Sequence, residues 1–368
     1  MRVHFVNENV GGHATMHLAI RRALAGRTDV EATFFDVPPP TGVRRLLGAR
    51  VPGLDRFDAD LQALRIQIAA STVVRRHLAS GPPADVLHLY THNVGLLSPA
   101  VLRSRPSVVS LDATNVQNAY RLPQRRPGAL TPHALRPTLA LERAVYEAAT
   151  LVAAQSEWAA SSLRNDYDVP DAKIRVIPFG ITVPPRPSRP ATSAPVPRIT
   201  FIGRSMDRKG GWRLLDVWQR HLRDRSRLTL VTLDPVPSVP GLEVRNDIRP
   251  GDGRLEAVLA ETDVFAFPTD LDTFGYAAIE AMAAAVPVVA TDTAALPEVV
   301  KHGLTGLLVA TGDDRALAAA LAELLDEPTR RRRMGHAGRQ RVEERFDASV
   351  TTDTLIGVLA EAVAARTG

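Results

Sequence analysis

Three acids with a glycine between them stand in one stretch, Pro268-Thr-Asp-Leu-Asp-Thr-Phe-Gly-Tyr-Ala-Ala-Ile-Glu280. Asp270 and Asp272 fall where a loop is expected, and Glu280 falls about two turns into an otherwise apolar helix. A carboxylate in that setting suits hydroxyl groups better than phosphate. Thr273, Phe274 and Gly275 lead into the helix, whose free N–H groups and positive dipole end suit an anion.

The elements that position these groups can be read on either side. Val264 to Phe267 is a short apolar run and reads as a buried strand. Good helix formers follow from about Ala277 to Ala284, and Pro287-Val-Val-Ala290 reads as the next buried strand. Strand, loop, helix and strand make a βαβ unit, in which ligands bind past the carboxyl ends of the strands. The same logic applies at the start of the chain. Arg2 to Val6 reads as a strand, His13 to Ala25 as a helix, and Gly11-Gly12 between them lets backbone approach a ligand closely. Such a glycine pair is common in strand–helix turns and is weak alone. Asp85 to Tyr90 reads as a strand ending at Thr91-His-Asn93, with His88 in the core and His92 placed for ligand. Ser107 to Leu111 reads as another strand, with Asp112 at its end. Two readings of Asp112 are open: a carboxylate that accepts from hydroxyls or takes a proton, and an Asx-turn or helix cap.

Size and composition exclude several classes. A chain of 368 residues with 45% hydrophobic residues can form two cores. No apolar run of about 18 residues suggests a membrane span. The first strand begins at once without a secretory pattern, and cysteine is absent, so a cytoplasmic location is expected. Only three of the 45 basic residues are lysine, namely Lys173, Lys209 and Lys301, so arginine richness points to a GC-rich genome rather than to nucleic acid. Residues 1–180 carry 21 Lys+Arg against 15 Asp+Glu, an excess of six. Within that half, Arg44, Arg45 and Arg50 alternate with Leu46, Leu47 and Val51. This segment is either a plain surface helix or a basic amphipathic one that associates weakly with an anionic membrane. Pro184, Pro185, Pro187, Pro190, Pro195 and Pro197 mark an extended linker.

The central stretch resembles the signature of family-four retaining glycosyltransferases, which use nucleotide sugars and have the GT-B fold. Phe274-Gly275, Glu280-Ala-Met-Ala283, Pro287-Val-Val-Ala290 and Leu296-Pro-Glu298 match its pattern, and Asp272 and Glu280 keep its two acids seven residues apart. Gly203-Arg204 and Lys209-Gly210 match the family's diphosphate motif, Lys173 to Gly180 matches the segment that closes the first domain, and Gly303 to Val309 resembles its hairpin-like close. Three positions depart: Asp272 stands for the usual Glu, Ala285 for Gly and Phe179 for Asn.

The resemblance implies an α/β fold of two Rossmann-like parallel-sheet domains facing across a cleft, with a C-terminal helix crossing back to the first. The expected divisions are 1–183, a linker at 184–197, 198–346 for the nucleotide sugar, and a last helix in 347–368. It also implies roles. Arg204 and Lys209, with Gly203, hold the diphosphate and stabilise its growing charge; an ordinary salt bridge is the bland alternative for either. Gly11 and Gly12 face the diphosphate. Glu280 holds the ribose, Asp272 with the Thr273–Gly275 backbone holds the donor sugar, and Asp112, His92 and Glu298 lie nearby. Asp270-Leu-Asp272 is formally a D-x-D metal motif of another fold, but three residues match often by chance, and no essential metal or other cofactor is expected. The function implied is transfer of a sugar, with retention, to a hydroxyl of a small molecule. A peripheral membrane enzyme acting on a lipid-linked acceptor and an inactive nucleotide-sugar-binding relative are the alternatives.

Overall fold

The computed structural model describes residues 1–8, 13–47, 61–123, 127–185, 196–248 and 253–367. Gly11, Gly12, Arg50 and Pro187 to Pro195 therefore lie outside the described residues. The chain forms two compact units. The first comprises Met1–Arg121, Arg125–Gly180 and Ser349–Gly368, and the second Leu122–Gln124 and Ile181–Ala348.

In the first unit a parallel sheet is built from β1 (Arg2–Asn7), β2 (Glu31–Asp36), β3 (Val86–Tyr90), β4 (Ser107–Leu111), β5 (Leu151–Ala154) and β6 (Ile174–Val176), in the order β2-β1-β3-β4-β5-β6. Every residue of β3, β4 and β5 is buried, as strands covered on both faces require. Helices α1 (His13–Leu24), α2 (Val43–Leu47), α3 (Leu61–Ser80), α4 (His92–Gly95), α5 (Pro99–Ser104), α6 (Asn115–Tyr120), α7 (Thr131–Ala148) and α8 (Glu157–Tyr167) connect and cover them. Ser156 caps α8 through its hydroxyl, which accepts from the Ala159 N–H at 3.0 Å. Helix α7 carries Pro137 within it.

The second unit repeats the plan with β7 (Arg198–Ile202), β8 (Arg227–Val231), β9 (Leu242–Arg245), β10 (Val264–Phe267), β11 (Val288–Thr291) and β12 (Gly306–Val309), in the order β12-β11-β10-β7-β8-β9. Its helices are α9 (Gly211–His221), α10 (Arg254–Ala260), α11 (Tyr276–Ala283), α12 (Leu296–Val299), α13 (Asp314–Asp326) and α14 (Pro328–Arg345). The segment read as hairpin-like is instead a turn, closed by the Gly303 N–H on the Gly306 carbonyl at 2.8 Å, followed by β12 lying parallel to β11.

The last helix, α15 (Ala348–Thr367), returns to the first unit. Its Leu355, Ile356, Val358, Leu359 and Ala362 pack with Val3, Phe5 and Val108 in one cluster. With a mean hydropathy of 1.3 over Ala348–Arg366, this helix is long and apolar enough to cross a bilayer, contrary to the reading that no segment is. Burial of its apolar face in a sheet core accounts for that composition.

Candidate functional site

Each sheet reverses its order once, and ligands of open α/β sheets bind at such switch points. In the second unit the reversal lies between β7 and β10, whose neighbours in register include Val264 with Ile199. Beyond the ends of these two strands come Gly203 to Gly210 and Pro268 to Gly275. The sequence thus brings its diphosphate motif and its acidic loop to one place. The two segments touch closely: a Cβ on Gly210 would sit 1.9 Å from the Pro268 carbonyl oxygen, and the residue has a φ of +72°. Only glycine fits there.

Lys209 is half-buried. Its Nζ donates to Asp272 Oδ2 at 2.5 Å and to the Leu271 carbonyl at 2.8 Å. Arg204 is exposed and has no ion pair among the described residues. Asp270 faces a different cation. Its carboxylate receives both terminal nitrogens of Arg213, at 2.7 and 3.2 Å, and Arg213 also lies 3.2 Å from Asp314. The two acids of the D-x-D triplet are therefore fastened separately to the segment that opens α9. Arg213 lies four residues after Lys209, and that spacing was its only sign in the sequence.

Asp272 differs from expectation in what it touches. Its Oδ1 accepts from the N–H groups of Phe274 at 3.0 Å and Gly275 at 2.6 Å. The backbone donors read as sugar ligands are thus bonded to the side chain read beside them. Gly275 has a φ of +94°, and a Cβ there would meet Leu296 Cδ2 at 2.4 Å. Phe274 is buried and packs edge-on to Phe346 at 6.2 Å between centroids.

Glu280 sits on the first turns of α11, half-buried, with no hydrogen bond or ion pair among the described residues. Burial and then the nearby charge of Glu256 push its carboxyl up to about 7. A shielded carboxylate without a donor is costly unless a ligand supplies one. Glu298 lies in α12 and is half-buried; Arg341 of α14 donates to its carbonyl at 2.6 Å and to that of Val299 at 3.0 Å. Arg331 is buried and meets Asp263 at 3.0 Å and the carbonyls that end α13.

In the first unit the switch point lies between β1 and β3. Glu8 follows β1, and Thr91 after β3 donates its hydroxyl to the Glu8 carboxylate at 2.5 Å. Asp112 follows β4 and lies 3.8 Å from His13 Nε2. Asp112 does not cap the next helix, since Thr114 does so in a capping box with Gln117. Burial draws the His13 pKa down, but the Asp112 and Glu8 carboxylates outweigh it, so the net shift is upward. Tyr90, fully buried, lies edge-on to both His13 and His17. Phe179 also packs against Tyr90, at 6.0 Å.

His92 corrects its expectation. Its side chain is 2% exposed, with Nε2 3.2 Å from both Glu142 and Asn115. Glu142 also accepts from Tyr146 at 2.6 Å, from Tyr167, and from the Asn115 N–H at 3.1 Å. A buried carboxylate that accepts three hydrogen bonds lies beside His92 and holds it inward. Nothing near Glu142 in the sequence announces this, because its partners come from four elements. His88 is the core histidine expected, bonded to Ser110 at 2.7 Å.

Comparison with known proteins agrees with this geometry. The family model for group 1 glycosyl transferases matches residues 196–327, and that for the glycosyl transferase 4-like domain matches residues 11–180. The chain is similar to alpha-maltose-1-phosphate synthase of Mycolicibacterium smegmatis, with 30% identity over 310 residues, 74% of this chain and 78% of the relative. It is 33% identical over 263 residues to D-inositol 3-phosphate glycosyltransferase of Kineococcus radiotolerans, covering 61% and 60% of the two chains. Among solved structures, sucrose-phosphate synthase from Thermosynechococcus elongatus superposes with a TM-score of 0.75 at 20% identity, over 99% of this chain and 100% of that one. The Anabaena HepE structure in complex with UDP-glucose gives 0.67 at 17% identity, over 98% and 100%. The last two are likenesses of fold. The chain belongs to the family-four, group 1 glycosyltransferases of GT-B fold, which draw on nucleotide-sugar donors.

Proposed function

We propose that this enzyme transfers a sugar, with retention of configuration and without an essential metal, from a nucleoside-diphosphate sugar to a hydroxyl of a small molecule in the cytoplasm. The observation that carries the reading is the pair of cations, Arg204 and Lys209, beyond the β7/β10 switch point. Arg204 takes the diphosphate through its fork of N–H donors and Lys209 as a point charge. As the glycosidic C–O bond breaks, the departing diphosphate gains charge, and fixed cations stabilise it as a metal would. Gly203 lets Lys209 and Phe201 pack against the backbone there: a Cβ would meet Phe201 at 2.6 Å and Lys209 Cβ at 2.9 Å. Glu280 accepts from the ribose hydroxyls. Glu298 and the Phe274–Gly275 turn border the donor.

On the first unit, Asp112 and His13 meet the acceptor. With front-face departure and attack, the acceptor oxygen bonds to the anomeric carbon and its proton passes to the leaving phosphate. No protein nucleophile is then required. The relatives' names include a sugar phosphate and an inositol phosphate, which favours a polyhydroxylated small molecule as acceptor.

The test is a screen of UDP-, GDP-, ADP- and dTDP-sugars by thermal shift and slow hydrolysis, with and without EDTA. One donor that stabilises the protein and is hydrolysed despite EDTA is the expected result. Its anomeric coupling in the product, read by NMR, reports retention. Failure of all four to bind would overturn the reading.

A second reading rests on α2, where Leu46 is 72% and Leu47 40% exposed beside Arg44 and Arg45. An apolar edge among cations suits an anionic membrane and a lipid-linked acceptor. It expects co-sedimentation with anionic vesicles, lost when Arg44 and Arg45 are neutralised.

A further inference from the structure

Lys209 already has partners within the protein. Its ammonium is shared between Asp272 Oδ2 and the Leu271 carbonyl, and the two side chains are only 22% and 15% exposed. Asp272 is in turn held by two backbone N–H groups through its other oxygen. All five donor and acceptor groups belong to the loops beyond β7 and β10. The aspartate thus closes a ring: backbone of the 272–275 turn, carboxylate, ammonium, and back to the carbonyl of residue 271. The carboxylate cannot turn toward a sugar without releasing the turn, the lysine, or both.

We propose that Asp272 acts on the reaction as a built-in rival anion for Lys209, a positioning residue and not a ligand of the donor sugar. The inference rests on the reading that Lys209 meets the donor diphosphate. When the donor binds, its diphosphate shares Lys209 with Asp272, and the carboxylate also repels it. Part of the lysine's attraction is therefore withheld from the bound diphosphate. After transfer, the ammonium returns to Asp272 as the nucleoside diphosphate leaves. A rival anion that weakens the hold on the charged product speeds its release, and product release limits turnover in many enzymes. The two N–H bonds to Oδ1 keep the carboxylate in place while the ammonium moves.

The experiment compares wild type with Asp272→Asn and Asp272→Ser. Both replacements can still accept from the Phe274 and Gly275 N–H groups, and both lack the charge. Affinity for UDP, GDP, ADP and dTDP is measured by calorimetry alongside melting temperature, and turnover is measured with the donor the wild type uses. The expected result is an affinity for the nucleoside diphosphate about threefold to tenfold tighter, with kcat lowered by as much as that factor because release of the product slows. In a Lys209→Met background the tightening should vanish. Equal or weaker diphosphate binding in a variant that melts like wild type would overturn the proposal. So would unchanged diphosphate binding with weaker nucleotide-sugar binding, which is the result for a sugar ligand. Wild type binding none of the four nucleotides would overturn the function itself and is distinct from these. Should both variants unfold, the wild type still decides. With three lysines in the chain, the Lys209 ammonium can be followed by 15N NMR. A slowly exchanging signal before nucleotide, shifted by its addition, is expected. A freely exchanging one would sink the idea.

Discussion

The two switch points share a backbone plan and differ in charge. Beyond β7 and β10 stand Arg204, Lys209 and Arg213, two of them tied to acids of the facing loop. Beyond β1, β3 and β4 stand Glu8, Asp112, His13 and Tyr90, acids and rings with one histidine between them. The same parallel sheet thus carries opposite chemistry: cations at one switch point, hydrogen-bond acceptors at the other. The fold supplies the strand ends, and the loop side chains decide what binds there.

Lys209→Ala should break this contrast most sharply. Transfer is expected to fall about a hundredfold to a thousandfold in a protein that melts near the wild-type temperature, as rates and melting curves will show. Glu280→Gln comes next, with donor affinity about tenfold weaker. Because the Glu280 carboxyl sits up at about 7, wild-type donor affinity should rise with pH across roughly pH 6 to 8, as the form that accepts from ribose appears. Titration calorimetry of the Gln variant should give a flat profile over the same range. The sign for stability is opposite: a raised folded pKa means that this acid destabilises the fold progressively as pH climbs from its ordinary 4.5 toward 7. Asp112→Asn tests the other side. It should raise the acceptor KM about fivefold and leave nucleotide binding unchanged, measured by kinetics and calorimetry together. If nucleotide binding weakens as well, the division of labour is wrong.

The smallest effect is expected at Ala285, which lies in neither site. It takes a φ of +58°, the left-handed region, where the family has glycine. Gly335 lies against its carbonyl, since a Cβ there would be 2.0 Å from that oxygen. Ala285→Gly should relieve strain and stabilise the protein by about 0.5–1 kcal/mol, with kinetics unchanged. A loss of activity would give this departure a functional meaning it lacks here.

These residues also show what a sequence can reveal. Strands β10 and β11 and helix α11 were plain, because contiguous apolar runs and helix formers leave a local signal. Arg204, Lys209 and Glu280 were plain because their motif is local too. What stayed hidden depends on partners far along the chain. Arg331 and Arg341 sit in a strongly charged run, and only the carbonyls of α13 and α12 explain them. His92 stood at a strand end like a ligand, and Glu142, fifty residues on, turned it inward. Asp272 was found by its spacing, but its bonds to Phe274, Gly275 and Lys209 depend on a side-chain length whose effect needs coordinates to see. Phe179 was noticed as a departure, and its packing on Tyr90 explains it without chemistry.

The return of α15 to the first unit bears on how the molecule is made. The core around Val3 and Phe5 is closed by Leu355, Ile356 and Leu359, which leave the ribosome after the whole second unit. Domains commonly fold in the order of synthesis; here the later-made unit can finish first, while the earlier one waits with an apolar sheet face uncovered. In that interval the helix that will cover it is itself apolar enough to enter a bilayer. Nascent chains arrested before residue 355 should therefore lean on holdase chaperones, and a tag or truncation at this end should cost yield before it costs chemistry.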